Sequence, residues 1–407
     1  MSWRWSFLLS CVATCSAAGA LLGACATDAA PEPDAFDAGP VDGAVDSETG
    51  RDADIDSADS AACVDCEYFP ATCTDEVLCP NGPFDPSNPA TSLDRRTEIF
   101  VIRGRSPSDV WVAGAVGAVA HFDGTSWKRS ELGTQETQRT LWLGDSWEMS
   151  FGSPMSLYTR GLELDAGGTD AGITADGWSP PVAPALPAGF DRYGTKLRAS
   201  WSSPGSDTLW LAMISSSWSS GLWRLRNASS SSFEIVEGIP PSACQDVPCT
   251  RMLAIHGASP STLWAVGELG ATIRVSGADG DTPTAKPFNS QTSNALKGVW
   301  AASDSDVWSV GAEGAIRHYR GDPHSWDVVA DVPTKVSLNG VWGTSASDIW
   351  AVGDAGVVLH YDGKTWERIQ IAGLGSLRPN LYSVWSPGLG HVWIAGQGVV
   401  VSLGGKP

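Results

Sequence analysis

Basic residues are scarce. Lys and Arg number 26 against 46 Asp and Glu, a formal net charge of −20. They nowhere gather into the stripe that a nucleic-acid backbone requires, which excludes that class of partner. Long apolar runs are missing too. The one near the N-terminus is broken by Gly, Ser and Cys before it reaches the 18 residues of a membrane-spanning helix. No HExxH, GxSxG, GxGxxG or phosphate-loop motif occurs, so neither a metal nor a cofactor is implied by motif. Methionine is rare, five residues in 407. With 45 Gly and 20 Trp, that points to a turn-rich, all-β chain rather than a helical one.

The negative charge is concentrated. Residues 26–62 hold nine Asp, two Glu and a single Arg, whereas 94–407 hold 24 basic and 30 acidic residues. The acidic stretch "ATDAAPEPDAFDAGPVDGAVDSETGRDADIDSADSAA" has one aromatic residue and too little apolar surface to offset the entropy of ordering it. Its like charges favour an extended chain. Its "DADIDSAD" run lacks the Gly turn and terminal Glu of a calcium loop. Residues 25–62 are therefore predicted to be a disordered tether.

Before it, "MSWRWSFLLSCVATCSAAGALLGACATDAA" resembles a bacterial lipoprotein signal peptide. Leu22, Gly23 and Ala24 precede Cys25 in the order of that family's cleavage box. The resemblance implies removal of residues 1–24 and acylation of Cys25. Ala26, rather than Asp, follows the Cys, which in the enteric sorting rule favours the outer membrane. Each buried CH₂ of an acyl chain contributes about 0.8 kcal/mol, and two or more chains anchor stably. The plain reading of the same segment is a cleaved secretory signal.

Nine Cys are present. Cys11 and Cys15 leave with the signal and Cys25 takes lipid, so Cys63, Cys66, Cys73, Cys79, Cys244 and Cys249 remain. An even number in an exported chain reads as disulfides. "CQDVPC" suits a local bridge between Cys244 and Cys249. The four in "CVDCEYFPATCTDEVLC" form a compact Cys-rich segment, 63–93, with three pairings open. Their spacing does not match the paired knuckles of a zinc ribbon.

One sentence recurs along the rest of the chain. "SPSDVWVAGAVGAVAHFDGTSW" at 106–127, "SDSDVWSVGAEGAIRHY" at 303–319 and "SASDIWAVGDAGVVLHYDGKTW" at 345–366 share Trp and Gly and little else. Aligned on the core Trp, copies fall at Trp111, Trp210, Trp264, Trp308, Trp350 and Trp393, the last four 44, 42 and 43 residues apart. A worn copy at 141–161 places Met149 near the Trp position and makes seven. Each copy parses into four strands, with Asp-Gly marking a hairpin. Runs such as "VVLHY" are apolar on both faces, so each sheet must be covered on both sides. Four-stranded units of this period, each covered by copies of itself, are propeller blades.

The repeat resembles the Trp/Gly-rich propellers of surface lipoproteins in some Gram-negative bacteria. It is similar, more distantly, to BNR-like and photosystem assembly-factor propellers, though "YDGKTW" departs from the Asp-box of the former. The predicted fold is all-β, a seven-bladed β-propeller of four-stranded blades over 94–407, preceded by the tether and the disulfide-rich segment. The last copy stops before its fourth strand, so a segment just upstream of 97 is expected to supply it.

The chemistry-bearing positions are few. His121, His318 and His360 share one repeat position and are expected to pack within separate blades. Asp109, Asp306 and Asp348, two residues before a core Trp, read as turn caps. Eight residues before the core Trp stand Arg103, His256, Trp300, Trp342 and Trp385, with Trp201 after a one-residue gap and Trp142 in the worn copy. These end the innermost strands. They read as interblade packing or as an aromatic rim suited to a sugar or peptide, interrupted by Arg103 and His256. The expected function is that of a non-enzymatic binding or scaffold module, a monomer lipid-anchored at the outer membrane or cell surface, with a protein or glycan partner. The alternative is a glycoside hydrolase or lyase with its site at the axis, which would need a carboxylate pair about 5–9.5 Å apart. Palmitate labelling is expected in the wild type and absent in Cys25→Ala; equal labelling of the two would remove the anchor.

Overall fold

The computed structural model describes residues 65–162, 172–215, 221–229, 232–245 and 248–406. The signal segment, the acidic tether, Cys25 and Cys63 lie outside the described residues.

The strands form seven antiparallel sheets arranged as a β-propeller. Blade 1 consists of Ile99–Ser106, Asp109–Gly114, Val119–Phe122 and Trp127–Ser130. Blade 2 consists of Thr140–Leu143, Glu148–Phe151 and Tyr158–Arg160. Blade 3 follows as Thr195–Trp201, Thr208–Ser215, Leu222–Ser229 and Ser232–Glu237. Blade 4 is Met252–Ser259, Thr262–Gly267, Thr272–Ser276 and Thr284–Pro287. Blade 5 is Leu296–Ser303, Asp306–Gly311, Ile316–Tyr319 and Asp327–Val328. Blade 6 is Leu338–Ser345, Asp348–Gly353, Val358–Tyr361 and Trp366–Arg368. Blade 7 contributes Leu381–Gly388, His391–Gly396 and Val399–Leu403.

The fourth strand of blade 7 comes from the N-terminal side. Leu78–Pro80 pairs antiparallel with Leu403, Ser402 and Val401. This removes an exposed sheet edge and ties the start of the described chain to its end. The Cys-rich segment is thus part of the ring. Its bridge, Cys73–Cys79, fastens the closing strand at a Cα–Cα distance of 5.9 Å, and Cys244–Cys249 closes its own loop at 5.2 Å. The pairing of Cys73 with Cys79 leaves only one of the three arrangements open to the four clustered Cys. Cys66 is also disulfide-bonded.

Blade 2 has three regular strands. Its fourth position is held by single bridges, Leu157 with Val182 and Arg160 with Trp178. Pro180, Pro181, Pro184 and Pro187 crowd this stretch. Each lacks the N–H that a ladder needs, so the strand does not propagate. Met149 sits opposite Trp142, the place a core Trp takes elsewhere.

The repeated residues act between blades. Trp264 of blade 4 meets Tyr319 of blade 5 at 4.5 Å between ring centroids and Trp326 edge-on at 5.2 Å. Trp308 meets Tyr361 and Trp366 of blade 6 at 4.9 and 5.6 Å. Trp393 meets Phe122 and Trp127 of blade 1 at 5.3 and 5.7 Å. Trp111 meets Trp178 at 6.0 Å. The aromatic ending the third strand and the Trp opening or preceding the fourth form a slot for the preceding blade's core Trp. Each buried Trp removes roughly 150–250 Å² from water, about 4–6 kcal/mol at 25 cal/mol/Å² before the entropy of ordering it. Trp350 of blade 6 packs with Phe69 and Leu78, so the closing segment supplies this wall for blade 7.

The three repeat histidines lie on their own blade's core Trp, stacked at 4.2 Å for Trp111–His121 and 3.8 Å for Trp308–His318 and tilted at 4.3 Å for Trp350–His360. Their Nε2 atoms bond to Asp109, Asp306 and Asp348 at 2.8, 2.7 and 2.8 Å. Asp109 and Asp348 also accept from the indole N–H of Trp111 and Trp350. These aspartates therefore lock side chains across the sheet rather than only capping a turn. The His121 bond is the main reason Asp109 falls to a pKa of about 2.

Trp264→Ala is expected to lower the unfolding free energy by about 3–5 kcal/mol. Urea denaturation checks this; a loss below about 1 kcal/mol would contradict the interblade slot as a main source of stability.

Candidate functional site

Two rings of side chains surround the axis, one midway along the innermost strands and one near their N-terminal ends. In five blades the strands run on past the first ring to Ser106, Ser259, Ser303, Ser345 and Gly388, so the ring residues there do not end them as the sequence suggested. The first is the set of seven found by repeat spacing. Strand pairing confirms their equivalence: each lies directly opposite its blade's core position, as Arg103 does Trp111, Trp201 does Trp210, His256 does Trp264, Trp300 does Trp308, Trp342 does Trp350 and Trp385 does Trp393.

Their side chains divide into two groups. Trp385, Trp201 and Trp300 lie along the interfaces and press on the next blade's backbone at Gly104, Gly257 and Gly343. A Cβ there would come within 2.6, 2.8 and 2.7 Å of an indole carbon. Glycine at these positions is a packing requirement. The residues beside those glycines, Arg103, His256 and Trp342, turn instead to the axis. The Arg103 guanidinium stands over the Trp342 ring at 5.0 Å, and the His256 ring meets Trp342 edge-on at 5.2 Å. Contacts therefore run across the channel between blades 1, 4 and 6, and the three side chains plug it. Trp342 is pinned by its indole N–H donating to the Ser386 carbonyl at 3.1 Å. His256 accepts from the Ala301 N–H on Nδ1 at 3.1 Å, so its ring proton sits on Nε2.

Burial, with Arg103 as a second cause, depresses His256 to a pKa of about 3. Burial also lowers Arg103 to about 10, so at neutral pH the plug carries one positive charge.

Above the plug lies a cavity of about 140 Å³. Its mouth is the second ring, three residues further up each inner strand: Phe100, Arg139, Arg198, Leu253, Lys297, Asn339 and Tyr382. Sequence reading passed over this position because no one residue type runs through the repeats. That is the signal that was available: one register position of an otherwise repetitive strand varies in chemistry, with only Arg139 and Arg198 alike. Arg139 lies over the Phe100 ring at 4.1 Å, and Lys297 Nζ donates to Asn339 Oδ1 at 3.1 Å. The carboxylates near the rim are engaged by other donors. Glu98 accepts from the Tyr382 hydroxyl at 2.9 Å, Asp354 from Asn339 Nδ2 at 2.7 Å, and Glu268 from Arg251. Burial and then Glu98 push Tyr382 up to about 12.

The turns after the second strands surround the same mouth. In four of them a non-glycine residue takes left-handed backbone: Val116, Leu269, Glu313 and Ala355, at φ of 54–57°. Left-handed backbone costs an L-residue roughly 1–2 kcal/mol, most for a β-branched one. Val116 and Leu269 are nevertheless 66% and 82% exposed.

No protein-family model matches this chain, and no curated protein matches it. Solved structures do. It is similar to YCF48 bound to a D1 peptide, with 16% identity, a TM-score of 0.56 and coverage of 82% of this chain and 96% of that one. It is similar to a streptogramin B lyase at 13% identity, TM-score 0.55, covering 77% and 95%. An extracellular domain from B. thetaiotaomicron aligns at 11% identity and TM-score 0.57, over 80% of this chain and 41% of that one. At such identities the likeness shows the fold, a seven-bladed propeller, and nothing more. Among the described residues, no helix is long and apolar enough to cross a membrane, and no cluster of His, Cys, Asp and Glu suits a metal ion.

The His256 shift has a measurable sign. Between pH 6.5 and about 3 the unfolded chain's His256 takes a proton that the folded site refuses. The unfolded state then binds more protons, so stability is complete above pH 6.5 and falls as pH drops, by at most about 1.4 kcal/mol per unit. His256→Gln keeps an acceptor for Ala301 and does not titrate. Denaturation midpoints at pH 7, 6, 5 and 4 are expected to fall more steeply in the wild type than in this variant; parallel curves would contradict a buried neutral His256.

Proposed function

We propose that this chain is a non-enzymatic binding or scaffold propeller of the cell envelope, exported and anchored through acyl chains on Cys25. It docks a protein partner on the face around the axial mouth. One observation carries this reading. Val116 and Leu269, exposed and held in unfavourable backbone, stand on turns of the same face as the cationic cavity, and the Leu269 turn packs on the inner strand that carries Lys297. Strain and exposed apolar surface together cost stability on a monomer, and both are relieved or covered when a partner seats there.

A protein suits this face better than a glycan. Stacking on a sugar needs an open ring face, whereas Trp142, Trp300 and Trp385 are buried. In this reading the ring expected as an aromatic rim has a supporting role: Trp201, Trp300 and Trp385 hold the blades, and Arg103, His256 and Trp342 form the cavity floor. Binding is also a use of this fold elsewhere, as in the YCF48 structure that contains a D1 peptide. The cationic lining favours holding an anionic group over two-carboxylate chemistry.

Val116→Asp together with Leu269→Asp tests the face. Both sites are exposed, so melting should be unchanged within a degree or two. Crosslinking on intact cells is expected to yield a discrete protein adduct with the wild type and at least fivefold less with the double variant. Equal adducts, or saturable binding to a glycan array in place of any protein adduct, would overturn the reading.

A further inference from the structure

We propose that the axial cavity is an oxyanion site, taking a phosphate or carboxylate group between Arg103 at its floor and Arg139, Arg198 and Lys297 at its mouth. The inference deepens the reading of this face as a binding surface and concerns the group that seats at its centre.

Four cations line one cavity of about 140 Å³, and the lining has no Asp or Glu. That volume holds a phosphate or a carboxylate and little more. None of the four cations is in an ion pair among the described residues, although most other Arg side chains near a carboxylate are, for example Arg105 with Glu148, Arg160 with Glu148 and Arg378 with Asp65. Their known partners are neutral: Arg103 donates to the Ile102 carbonyl at 2.7 Å and stands over Trp342, Arg139 stands over Phe100, and Lys297 donates to the Asn339 amide.

Like charges gathered around one cavity repel, and burial weakens solvent screening most at Arg103 on the floor and least at Arg198, which is exposed at the mouth. The shifts agree with this geometry: burial lowers both Arg103 and Arg139, and Arg198 adds to the lowering of Arg139. The rim carboxylates make their hydrogen bonds to Tyr382, Asn339 and Arg251, and Glu98 and Glu268 act on Arg139 and Arg198 only through space. The guanidinium donors are therefore left facing a cavity open at its mouth and lined by no carboxylate. Arg is suited to this use because its planar fork matches two oxygens of a carboxylate or phosphate. His256 contributes no charge, so affinity should vary little between pH 5 and 8 apart from the titration of the ion itself.

The site is tested by isothermal titration of the full-length chain, purified in detergent, with sodium phosphate, acetate and chloride at constant ionic strength. Saturable 1:1 binding of phosphate or acetate is expected, at least tenfold tighter than chloride, and the tighter of the two names the source of the oxyanion. Arg103→Met keeps the stem over Trp342 and should weaken binding at least tenfold. Should that variant fail to fold, Arg198→Met with Lys297→Met at the more accessible mouth carries the decision, with circular dichroism and melting confirming the fold. Chloride binding as well as the oxyanions, no saturable binding, or unchanged affinity in the charge-removed variants would overturn the proposal. The crosslinking experiment on Val116 and Leu269 fails or succeeds independently, since neither residue lines the cavity.

Discussion

The contact on which the rest depends is that of a core Trp with the aromatic slot of the following blade. Each four-stranded sheet is apolar on both faces, so none can stand alone in water. Trp264 between Tyr319 and Trp326, and Trp308 between Tyr361 and Trp366, are buried only because the neighbouring sheet arrives at the correct angle. The ring must therefore close. A segment far upstream, Leu78–Pro80, completes the last sheet, and its Phe69 stands where an aromatic wall is needed against Trp350. The Cys73–Cys79 disulfide stiffens the closing segment itself, while its join to the last blade is made by the strand pairing.

Rigid walls permit an axis that varies. Midway along the inner strands, indoles lie on glycines of the next blade and fix the spacing, while Arg103, His256 and Trp342 fill the channel. At the N-terminal ends of the same strands no such packing dictates residue type: Arg recurs in blades 2 and 3, the other five blades differ, and the charge is positive. The same scaffold thus separates a structural middle from an end free to acquire recognition, and the strained turns carrying Val116 and Leu269 stand at the latter.

Much of the architecture was legible in the chain. The spacing of Trp264, Trp308, Trp350 and Trp393 marks the blades, Asp-Gly marks hairpins, and the missing strand at "GQGVVVSLGGKP" announces that another segment must close the ring. The repeat also put these residues at one equivalent position, although that position falls midway along the inner strands rather than at their ends. Less legible was what each member of that ring does. Trp300 and Trp342 occupy the same position in adjacent blades, yet one packs sideways on Gly343 and the other crosses the axis to Arg103 and His256. The aspartates before the core Trp looked like turn residues because their nearest neighbours in the chain are turns. Their partners, His121, His318 and His360, lie on the third strand and come alongside only through sheet register.

The linear order of residues by itself determined the number of blades, the strand pattern and the need for mutual cover, because local periodicity and turn chemistry carry that information. Only the tertiary structure decided where charge would gather. Arg139, Arg198 and Lys297 are distant in the chain and sit on three different blades; the repeat gives them one register position but not a common charge. Circular closure carries their strands around one axis, where proximity turns three ordinary cations and Arg103 into one electrostatic feature.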